Sequence, residues 1–248
     1  MLMTLIKNEF YKQKRSLLLL CILAVPIGIG GLLCVDLGIR YSSYLLPMAH
    51  EKGLTAWEML LREQRILYFN DFMPLFGAII VSGLFENEYR NNGWTNCLTR
   101  PVKRSSILFS KYITAYVYMV GMLIINLVVL LIVGKLFKFP EAIDFMMFGR
   151  MILIQMVSSA AIMVIHLYMT IENKNVIVSV GTAAVLSIIS SNLYHNAEGI
   201  SKFNPYGFSL YSVFKNSGVD LGIYVISSII FLVGFTITIG YFNKKKAY

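Results

Sequence analysis

Charge is what this sequence has least of. Only 14% of its 248 residues are Asp, Glu, Lys or Arg, against 57% hydrophobic residues. A typical soluble domain carries about 25% charged residues. That balance, with a mean hydropathy of +0.67, excludes a pair of soluble domains and fits one all-α membrane domain over residues 1–248. Cysteine is scarce as well. Cys21 and Cys34 lie in an apolar run and Cys97 in a polar one, so no disulfide framework is expected. The net charge of +9 is spread thinly among apolar runs, which argues for membrane topology and against a nucleic-acid partner.

Catalytic patterns are equally sparse. The three histidines, His50, His166 and His195, form no H-E-x-x-H, and neither a G-x-S-x-G elbow nor a phosphate-binding G-x-x-x-x-G-K-[ST] is present. Glu86 and Arg90 have an E-x-x-x-R spacing, but a pair four residues apart is more often an ion pair on one helix face. No metal site and no cofactor bound by this chain itself are expected. The chain therefore does not read as an enzyme.

What is present is a set of apolar runs. A bilayer core of about 30 Å needs roughly 20 residues of helix. Six runs qualify as transmembrane helices, at about 17–38, 66–86, 112–134, 150–171, 176–193 and 220–242. The run at 66–86 contains Asp71 and Pro74, which a span tolerates near its end or where neighbouring helices cover it. The first run is too long for a signal-peptide core and has no small-x-small cleavage site, so an uncleaved N-terminus is expected.

Orientation follows from the basic residues. With both termini cytoplasmic, the inner segments hold Lys7, Lys12, Lys14, Arg15, Arg90, Arg100, Lys103, Arg104, Lys111, Lys174 and Lys244 to Lys246, and the whole net charge falls on that side. A multi-pass protein of the cytoplasmic membrane is expected.

Between the spans lie four features. Residues 1–16 place Leu2, Leu5, Ile6 and Phe10 at helical spacing among Lys7, Lys12, Lys14 and Arg15, the pattern of an interfacial helix in contact with lipid. The stretch "GLTAWEMLLREQRILYF" is compatible with a short helix that holds Trp57 at headgroup level. Residues 194–219 read either as a re-entrant hairpin or as an ordinary outer loop. "ENKN", from Glu172 to Asn175, is a tight inner turn. Two ionisable residues in spans, Asp71 and His166, are candidates for a pathway; for His166 a packing role is the stronger reading, because no ionisable partner is evident in nearby spans.

The longest polar run is "ENEYRNNGWTNCLTRPVKRSSILFSK", residues 86–111. It passes from Glu86 and Glu88 through Gly93 to Pro101, where a short helix can start because proline needs no N–H in a first turn. From there it continues into the next span. The pattern Glu88, Gly93, Leu98, Pro101, Arg104 and Lys111 resembles the cytoplasmic coupling segment of type-2 ABC exporter permeases. The N-terminal segment "IKNEFYKQKRS" resembles that family's elbow helix, and Asn204–Pro205 its last outer segment. The texture is similar to small permeases of lantibiotic-immunity and bacitracin-resistance transporters.

This resemblance implies a permease without an ATP site, driven by a dimeric ABC ATP-binding subunit that carries ATP and Mg2+. It also implies a second permease chain, identical or homologous. Glu86, Glu88, Arg100, Pro101, Lys103, Arg104 and Lys111 would make or orient the ATPase contact, with Glu172 and Lys174 as a lesser contact. The paucity of buried charge suits an amphipathic or apolar cargo, such as an antimicrobial peptide or a lipid. Two other classes compete: a non-transporting immunity or scaffold protein that binds a toxin directly, and an intramembrane enzyme dependent on His166 or Glu86.

Overall fold

The structure, a computed structural model, describes residues 2–14, 16–90, 102–213 and 217–244. Ten α-helices and no strand occur among them. In chain order they are α1 (Leu2–Gln13), α2 (Leu17–Arg40), α3 (Leu46–Glu51), α4 (Ala56–Ile66), α5 (Met73–Arg90), α6 (Arg104–Leu136), α7 (Phe145–Asn173), α8 (Val176–Asn196), α9 (Glu198–Ser201) and α10 (Ser217–Lys244). A π-helical turn, Tyr41–Leu45, joins α2 to α3, and a 3-10 segment, Pro205–Ser212, precedes α10.

Helix starts follow local chemistry. Thr55 and Glu58 form a capping box on α4, each side chain accepting from the other's backbone N–H. Asp144 accepts from Met146 and Met147 N–H groups at the start of α7, and Asn175 from Ile177 N–H at the start of α8. Lys174, between those two helices, takes a left-handed conformation with φ of 53°. It thereby makes the tight turn that "ENKN" predicts.

Among the described residues, five helices are long and apolar enough to cross a membrane: Leu17–Glu51, Arg104–Leu136, Phe145–Asn173, Val176–Asn196 and Val219–Lys244. The expected crossing at 66–86 takes a different form. Ile66 ends α4, residues 67–72 turn, and α5 begins only at Met73, with an apolar portion of Met73–Glu86. The break has two causes. Tyr68 sits in the left-handed region at φ 60°, and Pro74 occupies the first turn of α5, where its missing N–H is harmless. Eighteen residues give a helix of about 27 Å, slightly short of a bilayer core.

The bundle packs tightly at its centre and is open to its surroundings at its flanks. Near the α1 end, Phe85, Leu108, Met119, Met163 and Leu167 form one buried cluster. Toward the α4 end, Leu33, Trp57, Leu60, Leu130 and Met151 form another. Trp57 is buried, not at the rim as the sequence led us to expect. Its ring packs edge-on against Phe139 and Phe148, and its N–H donates to the Glu141 carbonyl at 3.1 Å. Gly134 makes room for it, since a Cβ there would meet the indole ring. Outward-facing apolar side chains on α2, α8 and α10, among them Leu23, Ile27, Val185, Ile188, Leu232 and Ile237, remain exposed. Water would penalise such extended apolar faces, and lipid does not.

The segment after α8 folds back into the bundle. Pro205–Ser212 is almost wholly buried, with Asn204 bonded to Ser190 and the Ser209 hydroxyl to the Asn70 carbonyl. Arg150 fixes its far end. The guanidinium pairs bidentately with Asp220 at 2.6 and 2.8 Å and donates to the Tyr211 carbonyl at 3.0 Å. One side chain thus staples α7, the 3-10 segment and α10.

Candidate functional site

At the α1 end, four charged side chains from three helices meet. Lys111 of α6 is completely buried, and its ammonium donates to Glu9 of α1 at 2.8 Å, Glu88 of α5 at 3.0 Å and the Leu84 carbonyl at 3.3 Å. An ammonium has three donors, and all three are used. Lys12, at the rim, bridges the same two carboxylates at 3.0 and 2.6 Å. Two positive and two negative charges cancel. Burial by itself would raise the Glu88 pKa, but the Lys111 charge and the hydrogen bonds from both lysines hold it below the usual carboxylate value. Burial likewise works against the Lys12 charge, and the carboxylates Glu88 and Glu9 outweigh it, raising that pKa.

This cluster redistributes the residues expected in the coupling segment. Glu88 and Lys111 are interior tethers that join α1, α5 and α6 on either side of residues 91–101. Arg15, Arg100 and Pro101 lie outside the described residues. Lys103 is exposed and precedes α6, its carbonyl accepting from Ser106 and Ile107 N–H groups. Arg104, half-buried, opens that helix. Glu172 lies beside Tyr241 of α10, and Lys174 makes the turn into α8. On α1, Lys7 lies near Tyr11, Phe10 packs edge-on against Tyr118 of α6, and Lys14 is exposed. The face of α1 turned into the bundle is the polar one, Glu9 and Gln13, while Leu2 and Met3 are exposed.

Two sets of clefts flank α5 and α8. The cleft at the α1 end, about 490 Å³, is walled by Gln13 and Ser16, by Cys21 of α2, by Ile79, Gly83 and Glu86 of α5, and by Val176 and Val180 of α8. At the α4 end, a cleft of about 260 Å³ is walled by Tyr68, Asp71 and Phe72 before α5, and by Ser187, Ser191 and His195 on or near the last turns of α8. A neighbouring one of about 330 Å³ shares Tyr68, Asp71 and His195 and adds Arg62 and Arg65. Along the chain, 176, 180, 187 and 191 fall on one face of α8, so the 490 Å³ and 260 Å³ clefts share that face. The first meets α5 through Ile79, Gly83 and Glu86, and the second meets the turn before α5 through Tyr68, Asp71 and Phe72. Between them the helices close, with Ala78 and Ala183 fully buried.

The two pathway candidates part company here. Asp71 is in a cleft wall, buried, with one oxygen accepting from Ser191 at 2.6 Å and the other without a hydrogen-bond partner. His166 is in neither cleft. It is fully buried between the Ser179 hydroxyl at 3.0 Å and the Tyr206 hydroxyl at 3.2 Å, where it ties α7, α8 and the 3-10 segment together.

Sequence reasoning did not identify several polar partners. Asn70 and Gln155 pair at 2.9 Å, and Gln64 and Asn126 at 2.6 Å, each pair leaving one polar atom unpartnered on both members. Glu9 and Gln13 were hidden inside an apparently ordinary amphipathic repeat. A carboxylate on the otherwise basic α1 was the available signal.

A family model described as ABC-2 family transporter protein matches residues 5–190, from α1 through most of α8. The chain belongs to that family. No curated protein matches it in sequence. An ABC-2 member is a multi-pass membrane component of a transporter; it is not itself catalytic and typically works with an ATP-binding subunit.

Proposed function

We propose that this chain is the permease of an ATP-driven exporter in the cytoplasmic membrane, with both termini and the α1 end inside. In this reading α5 is a short sixth crossing. Residues 86–111 contact a dimeric ATP-binding subunit, which holds ATP and Mg2+, through Lys103, Arg104 and the segment before them. A second permease chain completes the path, and the cargo is amphipathic or apolar.

The observation that carries this reading is the alignment of clefts from opposite ends on one face of α8, bounded by α5 at one end and by the turn before α5 at the other. Alternating access would open these clefts one at a time around the closed middle, and ATP shifts the populations only if it binds the two states differently. The charge cluster supplies the transmission. Because Glu88 and Lys111 fix α5, α6 and α1 to one another, a push on the intervening segment moves three helices together.

The test is affinity purification of the tagged chain in mild detergent, with ATPase and export assays. An ATP-binding subunit is expected to co-purify in stoichiometric amount. Neutralising Lys103 and Arg104 should uncouple ATP turnover from export while membrane insertion is preserved. Recovery of the chain without such a subunit, or unchanged export in the variant, contradicts the reading.

A further inference from the structure

The geometry at the α4 end points to a binding site for a phospholipid headgroup that carries both a primary ammonium and a phosphate, the ammonium at Asp71 and the phosphate at Arg62 and Arg65. It rests on the reading above only in placing this end at the outer surface of the membrane.

The case begins with Asp71. A carboxylate that merely sits at an interface would be hydrated, but this one is 4% exposed. Ser191 serves one oxygen, and the other has no partner. A second buried oxygen in the same wall, Ser187 Oγ, also lacks one. A buried acceptor without a donor is costly, and a carboxylate more so. A primary ammonium, with three donors and a positive charge, matches what these two oxygens need. Among the residues walling the 260 Å³ cleft, Asp71 is the one carboxylate, and there is no lysine or arginine. Tyr68 and Phe72 add aromatic faces, which also attract an ammonium.

The adjoining cleft has the opposite sign. Arg62 and Arg65 stand in its wall, with Asp71 and His195 shared between the two. Arg65 is held in place by His195 at 3.1 Å and by stacking over the Tyr194 ring at 4.3 Å. A guanidinium so oriented presents a planar fork suited to phosphate. An acidic cleft and a basic one that share Tyr68, Asp71 and His195 complement a zwitterion, whereas an anionic lipid would satisfy only the arginines and a simple amine only the carboxylate. Tyr68, common to both clefts, holds a left-handed backbone at φ 60°, an uncommon conformation for a bulky residue.

The experiment is equilibrium lipid binding by native mass spectrometry on the full chain, with any subunit that co-purifies. The probes are short-chain phosphatidylethanolamine, phosphatidylglycerol of the same chain length, and dodecylamine at neutral pH. Phosphatidylethanolamine should bind about tenfold more tightly than either of the others, as one additional charge-assisted contact implies. Asp71→Asn should reduce it to the phosphatidylglycerol level, and Arg62→Gln with Arg65→Gln to the dodecylamine level. Glu51→Gln, which removes an acid from the same end outside the clefts, should change nothing. Equal binding of the two phospholipids by the wild-type chain overturns the proposal without any variant. So does an unchanged preference in Asp71→Asn or, should that variant not fold, in Ser187→Leu, which fills the cleft without altering charge. None of these readouts needs ATP or transport, so failure here leaves the permease reading standing, and an uncoupled permease leaves this one standing.

Discussion

The two ends of the bundle both bury charge, and they satisfy it differently. At the α1 end the charged groups pair with one another, Lys111 donating to Glu9, Glu88 and the Leu84 carbonyl, and the buried atoms left without a hydrogen-bond partner are the neutral Gln13 Nε2 and Ser16 Oγ. At the α4 end, Asp71, Asn70, Gln64, Gln155 and Asn126 each keep an unpartnered buried atom. A saturated network holds helices in one arrangement, whereas an unsaturated one is able to accept a ligand or to rearrange. The contrast extends to the carboxylates. Glu88 is held below its ordinary pKa by its lysines, while burial pushes Glu63, beside Arg40, above it. In the proposed permease the α1 end would transmit force and the α4 end would exchange partners.

The largest expected effect comes from breaking the closed cluster. Lys111→Met leaves the buried Glu9 and Glu88 with only the rim lysine, Lys12, between them and should cost about 3–5 kcal/mol of stability. Thermal unfolding in lipid nanodiscs measures this. Adding Glu9→Gln and Glu88→Gln should restore most of the loss, and a single variant indistinguishable from wild type would refute the saturation argument.

Arg150→Ala should come next, at about 1.5–3 kcal/mol, because it removes charge-assisted bonds to a partly buried Asp220. Protease cleavage should then increase between α9 and α10, where the 3-10 segment loses its anchor. A third substitution probes close packing: Gly134→Ala forces Trp57 away from α6, an overpacking cost of about 1–3 kcal/mol. The Trp57 fluorescence should shift in the same variant.

The smallest effect is in pH dependence. Glu88, lowered by its partners, contributes stability above its unfolded value of 4.5 and loses it as pH falls through the still lower folded value. Lys12, raised by its partners, contributes below its unfolded value of 10.5 and loses that as pH rises through the folded one. The α1 tether should therefore hold from mildly acidic pH to beyond 10.5, and release at the acid extreme should appear as proteolysis of the N-terminus. Glu63 runs the other way. Its contribution is greatest below 4.5 and declines as pH rises through its raised folded value. Glu63→Gln should flatten the stability profile just above 4.5 and Glu88→Gln just below it. Identical profiles for the two variants would abolish the contrast between the ends.

Much of this architecture was legible before any coordinates. Long apolar runs with a period-free texture can only be buried by lipid or by one another, so the five long helices announced themselves. The tight turn at Lys174 is local chemistry, readable from four residues, whereas the capping box at Thr55 is equally local and the sequence reading passed over it. Position 71 was harder. An Asp before a Pro looks like an interfacial residue, and only the turn at Tyr68 shows that α5 begins after it. The charge cluster was hidden for a different reason: Glu9, Glu88 and Lys111 are 79 and 23 residues apart along the chain, and no periodicity relates side chains on three separate helices. Lys111 accordingly looked like a surface contact, when burial and three acceptors make it a tether. Trp57 looked interfacial by type and is interior because Gly134 leaves it a slot.

The central claim is that the clefts at the two ends belong to one path along α5 and α8. Cysteine accessibility tests it most directly, because Cys21 already lines the cleft at the α1 end. Two chains would be compared, each assembled with its ATP-binding subunit and with Cys34 and Cys97 replaced by serine. One retains Cys21, and the other carries Cys21→Ser with Ser187→Cys at the opposite cleft. Labelling by a small polar thiol reagent, with and without ATP under non-hydrolysing conditions, should change in opposite directions, Cys21 becoming protected as position 187 opens. Labelling of both positions that rises and falls together, or ignores nucleotide, would contradict the account.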